Sequence, residues 1–574
     1  MRKVLTILSF LVLYSTIITA QPPAKPPLLV QTSEVHQLMV QYEADKGSLY
    51  RFYTIANSPE RRERFQKFNK DYIQQLESLP FEKMSMDGKV DYILFKRNIG
   101  NELRLLKKEE EEFAQVEKYF VFAAPIYELE KKRRRGATLD AAQLARQFTQ
   151  WKKTVDSNEA MVMHGPNIEM PLANRAQETA KGLAAAIESV FKFYNGYDPA
   201  FTWWIPQPYK VLDSSLNEYA RILKSKGAMN TAQKDDGSGI IGNPIGREEM
   251  IRQLQYEMIP YSPEEIIAIA NKEFAWCDNE MLKASTAMGF GSDWKAALEK
   301  VKNSYVPEGK QPEMILRLYN ESVDFIKQHD LVTIPPLAEE TWRMSMMSAQ
   351  RQLVSPFFLG GEEIIISYPT NTMDEEAKLM SMRGNNPHFS RATVHHELIA
   401  GHHLQGFMND RYKAYRNFFT PFWTEGWSLY WEFILWDMNF PQSPEDKVGM
   451  LFWRMHRCAR IIFSLNYHLG NWTPQQCIDF LVDRVGHERA NAEGEVRRSF
   501  TGGYGPLYQI AYMLGGQQFY SLKRELVDSK KMTYKQFHDA VLMENNMPVE
   551  MVRAILTNQQ LTKDFSTQWR FYNK

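Results

Sequence analysis

Four times the chain repeats one local pattern: a hydroxyl residue, a proline, then acidic or amide side chains. It stands at Ser58-Pro59-Glu60, Ser262-Pro263-Glu264-Glu265, Ser443-Pro444-Glu445-Asp446 and Thr473-Pro474-Gln475-Gln476. Each is a helix start. The hydroxyl caps free N–H groups and the proline has no N–H to satisfy; after Ser262 and Thr473 a Glu or Gln three positions on can return a hydrogen bond. After Ser262, residues Ile266, Ala270, Phe274, Cys277 and Met281 recur at spacings of three and four, which describes one buried helical face. The stretches behind the four starts match at no fixed period, so they are separate helices and not repeats. Strand signals are scarce; the best covers 362–368, after Gly360-Gly361 and before Pro369. The expected fold class is mainly α with a small β element.

Charge and composition remove several function classes. Lysine and arginine number 69 against 69 aspartate and glutamate, which gives no electrostatic footprint for nucleic acid. At 44% hydrophobic the chain can bury a large core, which excludes a disordered or collagen-like protein. Its length allows roughly two to four domains, or one large helical unit. Cys277, Cys458 and Cys477 are too few for a disulfide framework and too widely spaced for a thiolate zinc site, so buried thiols are expected. The basic run 131–135 before Gly136 reads as the cationic end of a helix stopped by glycine. Residues 235–246 form the clearest loop, a candidate rim or lid without the lysine of a phosphate cradle.

The first residues read as an address. Arg2 and Lys3 precede an apolar stretch over 4–18, followed by Thr19-Ala20-Gln21. That order is a secretory signal peptide over 1–20. The stretch is shorter than the ~20 residues of a spanning helix, although an uncleaved anchor is the alternative. No cysteine stands near the break to carry a lipid. A periplasmic or secreted protein is expected, without a membrane partner after cleavage.

One segment carries chemistry: His395-His396-Glu397-Leu398-Ile399-Ala400-Gly401-His402-His403, with four of the twelve histidines. Imidazole and carboxylate together are the ligand set of catalytic zinc. The six-residue step from His396 to His402 leaves them about 120° apart on a regular helix. The seven-residue pairs share a face but lie about 10.5 Å apart along the axis. Both nitrogens must come within ~2.1 Å of one ion, so the helix has to bulge or unwind, and Gly401 tolerates that. A third ligand is available in Thr424-Glu425-Gly426-Trp427-Ser428-Leu429-Tyr430-Trp431-Glu432. Glu425 and Glu432 compete for the role, since a carboxylate in an apolar helix is costly unless paired or bound to metal. Chemistry alone does not choose between His402 and His403.

These two segments resemble the DUF885 family, whose usual pattern reads H-E-x-x-P-G-H and then E-G-W-A-L-Y. Ala400 stands where the proline is usual. The resemblance extends to Pro244-Ile245-Gly246-Arg247-Glu248, to the helix opening at Ser262 and to Gly494-Glu495-Val496-Arg497-Arg498. Beyond Arg498 the chain departs: Tyr508 stands where the family has glutamine, while Tyr512 and Gly515 fit its Y-x-x-G. The resemblance implies a gluzincin-like helical architecture with a deep cleft, filling 21–574 with its metal-site core at about 340–520. It implies one zinc per chain on His396, His402 and Glu425, with Glu397 as base and His395 in a supporting role.

The implied reaction is hydrolysis of peptide bonds in oligopeptides by metal-activated water, with Glu397 as proton acceptor. Tyr504, Tyr508, Tyr512, His487 and Arg498 form the pool of oxyanion donors, and Tyr508 and Tyr512 are preferred. Arg498 could instead hold a substrate carboxylate. The strand after Gly360 is expected beside the cleft, with an edge open to an extended peptide or used by an internal hairpin. Two rival functions are a zinc hydrolase of non-peptide amides or esters and an inactive binding protein on the same fold. Retention of Glu397 speaks against the second.

Overall fold

All four proline-marked starts open helices in the computed structural model, which describes residues 33–228, 235–352, 357–501 and 503–572. Ser58 accepts a hydrogen bond from the Arg61 N–H ahead of Pro59–Glu77, and Ser443 accepts one from Asp446 ahead of Pro444–His468. Ser262 and Thr473 form complete capping boxes with Glu265 and Gln476. The stripe from Ile266 to Met281 is buried throughout. The basic run ends helix Ala123–Arg133, Gly136 follows at φ 65°, and Arg134 pairs with Glu130 and Glu60. All three cysteines are buried and free. The signal-peptide reading falls outside the described residues, among which no helix is long and apolar enough to cross a membrane.

The molecule is mainly helical, with two small parallel sheets. Ile168–Glu169 pairs with Gly227–Ala228, and Arg343–Met346 pairs with Glu363–Ile366. The second sheet contains the expected strand, shorter than its sequence signal. Ile364 and Ile366 turn into the core with the period of two that a strand imposes. Its edges are used within the chain. Arg343–Met346 takes one, and Ile365 exchanges backbone hydrogen bonds of 2.7 and 3.2 Å with Leu359 on the other. The internal alternative is the one adopted, because an unpaired row of buried N–H and C=O groups is costly.

Apolar burial falls into three clusters. One belongs to an N-terminal lobe, where Met170–Tyr194 packs on Pro206–Ser225 and buries Ala176, Ala180, Leu183 and Ile187 in the cluster. The other two clusters meet along one helix, Pro421–Asp437. Trp423, Trp427, Trp431 and Ile434 point into the first, while Phe422, Leu429 and Phe433 point into the second. An all-round apolar helix has to be buried on every side, and this one is. Against it lies Tyr508–Lys523. A Cβ on Gly426 would stand 2.5 Å from the Gly515 Cα, so these two backbones touch directly.

Candidate metal centre

Asn386 caps, and Pro387 opens, the helix that carries His396 and ends at Glu397. The predicted distortion is a full break: Leu398 and Gly401 leave helical values, the Ile399–Ala400 peptide is cis, and a new helix runs His402–Asn409. Gly401 is needed for close approach and not for a positive φ. A Cβ there would lie 1.8 Å from the His396 carbonyl oxygen. The Trp427 indole donates to the Ala400 carbonyl at 2.8 Å and holds the break against the next helix.

Across that break the side chains converge. Glu425 Oε2 lies 3.5 Å from His396 Nε2 and 3.3 Å from His402 Nε2, and the three ligand atoms all fall within 4.8 Å of one another. His396 and Glu425 are buried, and His402 is partly open to a cavity. Glu425 Oε2 is buried yet accepts no hydrogen bond. A bare carboxylate oxygen facing two imidazole nitrogens is costly unless a cation lies between them. Two imidazoles and a carboxylate are also the donor set of catalytic zinc, so these residues fit a metal ion.

The same helix orients the rings. Glu432, the competing ligand, sits at 2.8 Å from His396 Nδ1, and the Ser428 hydroxyl lies 3.2 Å from His402 Nδ1. Accepting the Nδ1 proton leaves the Nε2 lone pair of His396 free for a cation. Glu425, Ser428 and Glu432 share one face at spacings of three and seven. Burial opposes charge on His396, but the carboxylates of Glu425 and Glu432 outweigh it and raise its pKa to about 9. Burial likewise opposes charge on Glu425, but His402 and His396 hold its carboxyl well below the usual range. The pocket thus draws positive charge.

Glu397 stands beside the trio and outside it. Gly360 packs on it so closely that a Cβ would meet the Glu397 Cβ at 2.4 Å, and the Gly361 N–H donates to its carbonyl at 3.3 Å. Burial pushes the Glu397 carboxyl up, against the pull of His402 and His396. The Tyr508 hydroxyl donates to Glu425 Oε1, and the Tyr512 ring stacks on His396 at 6.2 Å between centroids. Trio, base and both tyrosines line one cavity of about 560 Å³, within the range of small-molecule sites.

The other expected residues do not join the trio, though Arg498 and Tyr504 line the same cavity. His395 Nδ1 is 2.9 Å from the Arg391 carbonyl and His403 Nε2 is 2.7 Å from that of Ala338, so neither faces the trio. His487 packs on His456 at 2.8 Å, and Arg498 pairs with Glu495. Tyr504 lines the cavity against Tyr508. The 235–246 loop lines none of this cavity and is fastened down. Asp236 accepts from the Gln475 N–H at 2.7 Å, Arg497 donates to the Gly239 carbonyl at 3.0 Å, and Ile240 is buried. Sequence reasoning passed over Ser428, Arg457 and Arg460; the last two, also on the cavity wall, read as ordinary helical arginines.

No curated protein matches the chain. Solved structures that share its fold include two described as putative lipoproteins. One is a putative lipoprotein of unknown function from Shewanella oneidensis, with TM-score 0.65 and 16% identity over 92% of this chain and 100% of that one. The other is a putative lipoprotein from Colwellia psychrerythraea, with TM-score 0.57 and 16% identity over 92% of this chain and 99% of that one. A family model described as bacterial protein of unknown function, DUF885, matches residues 54–556, nearly the whole described body, and the chain belongs to that family.

Proposed function

We propose that this chain is an exported zinc-dependent peptidase with a gluzincin-like centre, cleaving peptide bonds of oligopeptides. The observation that carries the reading is the convergence of His396, His402 and Glu425 within 4.8 Å beside Glu397. Zinc held by these three supplies Lewis acidity, polarising a carbonyl and bringing the pKa of water toward ~7. Glu397 takes the proton of the attacking water and passes it to the leaving amine. Tyr512, and Tyr508 once its O–H turns away from Glu425 Oε1, donate to the developing oxyanion; burial raises both phenol pKa values and keeps them protonated. Glu432 and Ser428 fix the imidazole rings. The basic-apolar-small order over 1–20 supports export, as does likeness to two proteins described as putative lipoproteins.

Metal content measured beside a peptide-library digest tests this. Wild type should hold one zinc and cleave. Glu397→Gln should keep the zinc and lose on the order of 10²–10⁴-fold in turnover. His402→Ala should lose both, and His403→Ala should keep the metal. Full activity in Glu397→Gln overturns the mechanism, and a site emptied by His403→Ala but not by His402→Ala overturns the ligand set.

A further inference from the structure

The cavity holds a second chemistry beside the trio: Arg457, Arg460 and Arg498 also line it. Buried guanidinium groups cost several kcal/mol unless paired. Two of the three are paired, since Glu495 takes Arg460 Nε at 2.9 Å and Arg498 Nη2 at 2.6 Å. Arg457 is different. Its nearest carboxylate oxygen, Glu432 Oε1, is 3.7 Å away and already 2.8 Å from His396 Nδ1. Arg457 is 5% exposed, and its Nε, like those of Arg460 and Arg498, makes no hydrogen bond, so what sets it apart is the missing close carboxylate. The guanidinium lies 4.5 Å over the Tyr512 ring, with Arg460 at 4.4 Å on the same ring. Cation–π contact offsets part of the burial cost but satisfies no N–H. Glu495 is thus shared by Arg460 and Arg498, while Arg457 makes no close ion pair and has donors to spare.

The spacing selects the anion. Tyr512 stacks at 6.2 Å on His396 and at 4.5 Å under Arg457, so one aromatic ring separates the candidate ligand from the unpaired cation. Those two steps bound the span to one to three extended residues at ~3.5 Å each. A planar guanidinium matches a carboxylate with two parallel N–H bonds. Resting on the peptidase reading above, we propose that Arg457 binds the free α-carboxylate of a peptide, so that the enzyme removes one to three residues from the C-terminal end. The reaction remains hydrolysis: the hydroxyl of water joins the acyl carbon and its proton leaves on the released amine.

A matched pair of probes tests it on the full chain: acetyl-trialanine with a free carboxylate and the same peptide as its C-terminal amide. Titration calorimetry on Glu397→Gln, which removes turnover, should show the acid binding at least tenfold more tightly than the amide. Adding Arg457→Gln should reduce that preference to within twofold at unchanged zinc content, whereas adding Arg457→Lys should keep part of it. Equal affinity for acid and amide, including no measurable affinity for either, overturns the proposal. So does a preference that survives Arg457→Gln. If the glutamine variant fails to fold, the wild-type preference and the lysine variant decide. The two readings also fail separately. Wild type that cleaves amide and acid equally well keeps the peptidase and loses the subsite; selective binding of the acid without cleavage of any peptide does the reverse.

Discussion

His396 faces two carboxylates at once, Glu432 at 2.8 Å on Nδ1 and Glu425 at 3.5 Å from Nε2. Glu432→Gln keeps the shape and removes the charge that fixes the ring. Chelator competition should show zinc affinity falling about 10–100-fold, with the described fold unchanged by circular dichroism. An unaltered affinity would leave Glu432 merely structural. The residue types at this centre were legible in the sequence, because few other arrangements place imidazoles and carboxylates in an otherwise apolar stretch. Two distinctions were not. His402 and His403 are chemically identical neighbours, and only the break at residues 398–401 turns one to Glu425 and the other to the Ala338 carbonyl. Arg457 and Arg460 sit three apart in Pro444–His468, a spacing that also fits a solvated stripe, and only the packing of Tyr512 shows that both are buried.

Elements were legible where their causes are local. Caps and prolines act within a turn, so all four helix starts stand where the sequence puts them. The loop at 235–246 was misread because its fastenings, Gln475 and Arg497, lie 239 and 258 positions from their partners. Glu425, Gly426 and Trp427 divide three tasks: facing two imidazoles, touching Gly515, and bonding the Ala400 carbonyl. A Cβ on Gly515 would lie 2.1 Å from the Phe422 carbonyl oxygen, where neither backbone can yield. Alanine in a helix gains about 1 kcal/mol over glycine, while overpacking costs about 1–3 kcal/mol or more. The clash should win, and Gly515→Ala should lower the midpoint of denaturant unfolding along with peptide hydrolysis. Gly100 is the control: it is exposed within Met86–Val116 with nothing near its absent Cβ, so Gly100→Ala should raise that midpoint. The same sign at both sites would rule out backbone contact as the cause.

At the scale of the molecule, buried groups set an acid limit. Burial keeps His468 neutral down to about pH 4, and His487 and His538 down to about pH 3. All three ordinarily titrate near 6.5, so the unfolded chain binds protons first. Stability they confer is intact above pH 6.5 and drains away as pH falls toward 3–4. Burial would raise the Glu495 pKa, but Arg460 and Arg498 hold it at about 2, which adds a loss between 4.5 and about 2. Urea unfolding followed by pH should therefore show stability starting to fall below 6.5 and steepening below 4.5, with the steeper part reduced in Glu495→Gln. A flat profile from 7 to 4 would contradict the burial of these histidines. The N-terminal lobe, whose core lines none of the cavity, contributes none of these four groups.

Pro421–Asp437 is both the carrier of Glu425 and the joint between the two larger cores. Under the zinc reading this couples cargo to maturation. An ion that ties this helix to the two histidines also clamps the halves of the body, by as much as its binding favours the folded chain. A molecule that has not yet met its ion is then the one whose halves part more readily, exposing the tryptophan seam to proteases. Loaded and empty copies should then differ in their susceptibility to cleavage.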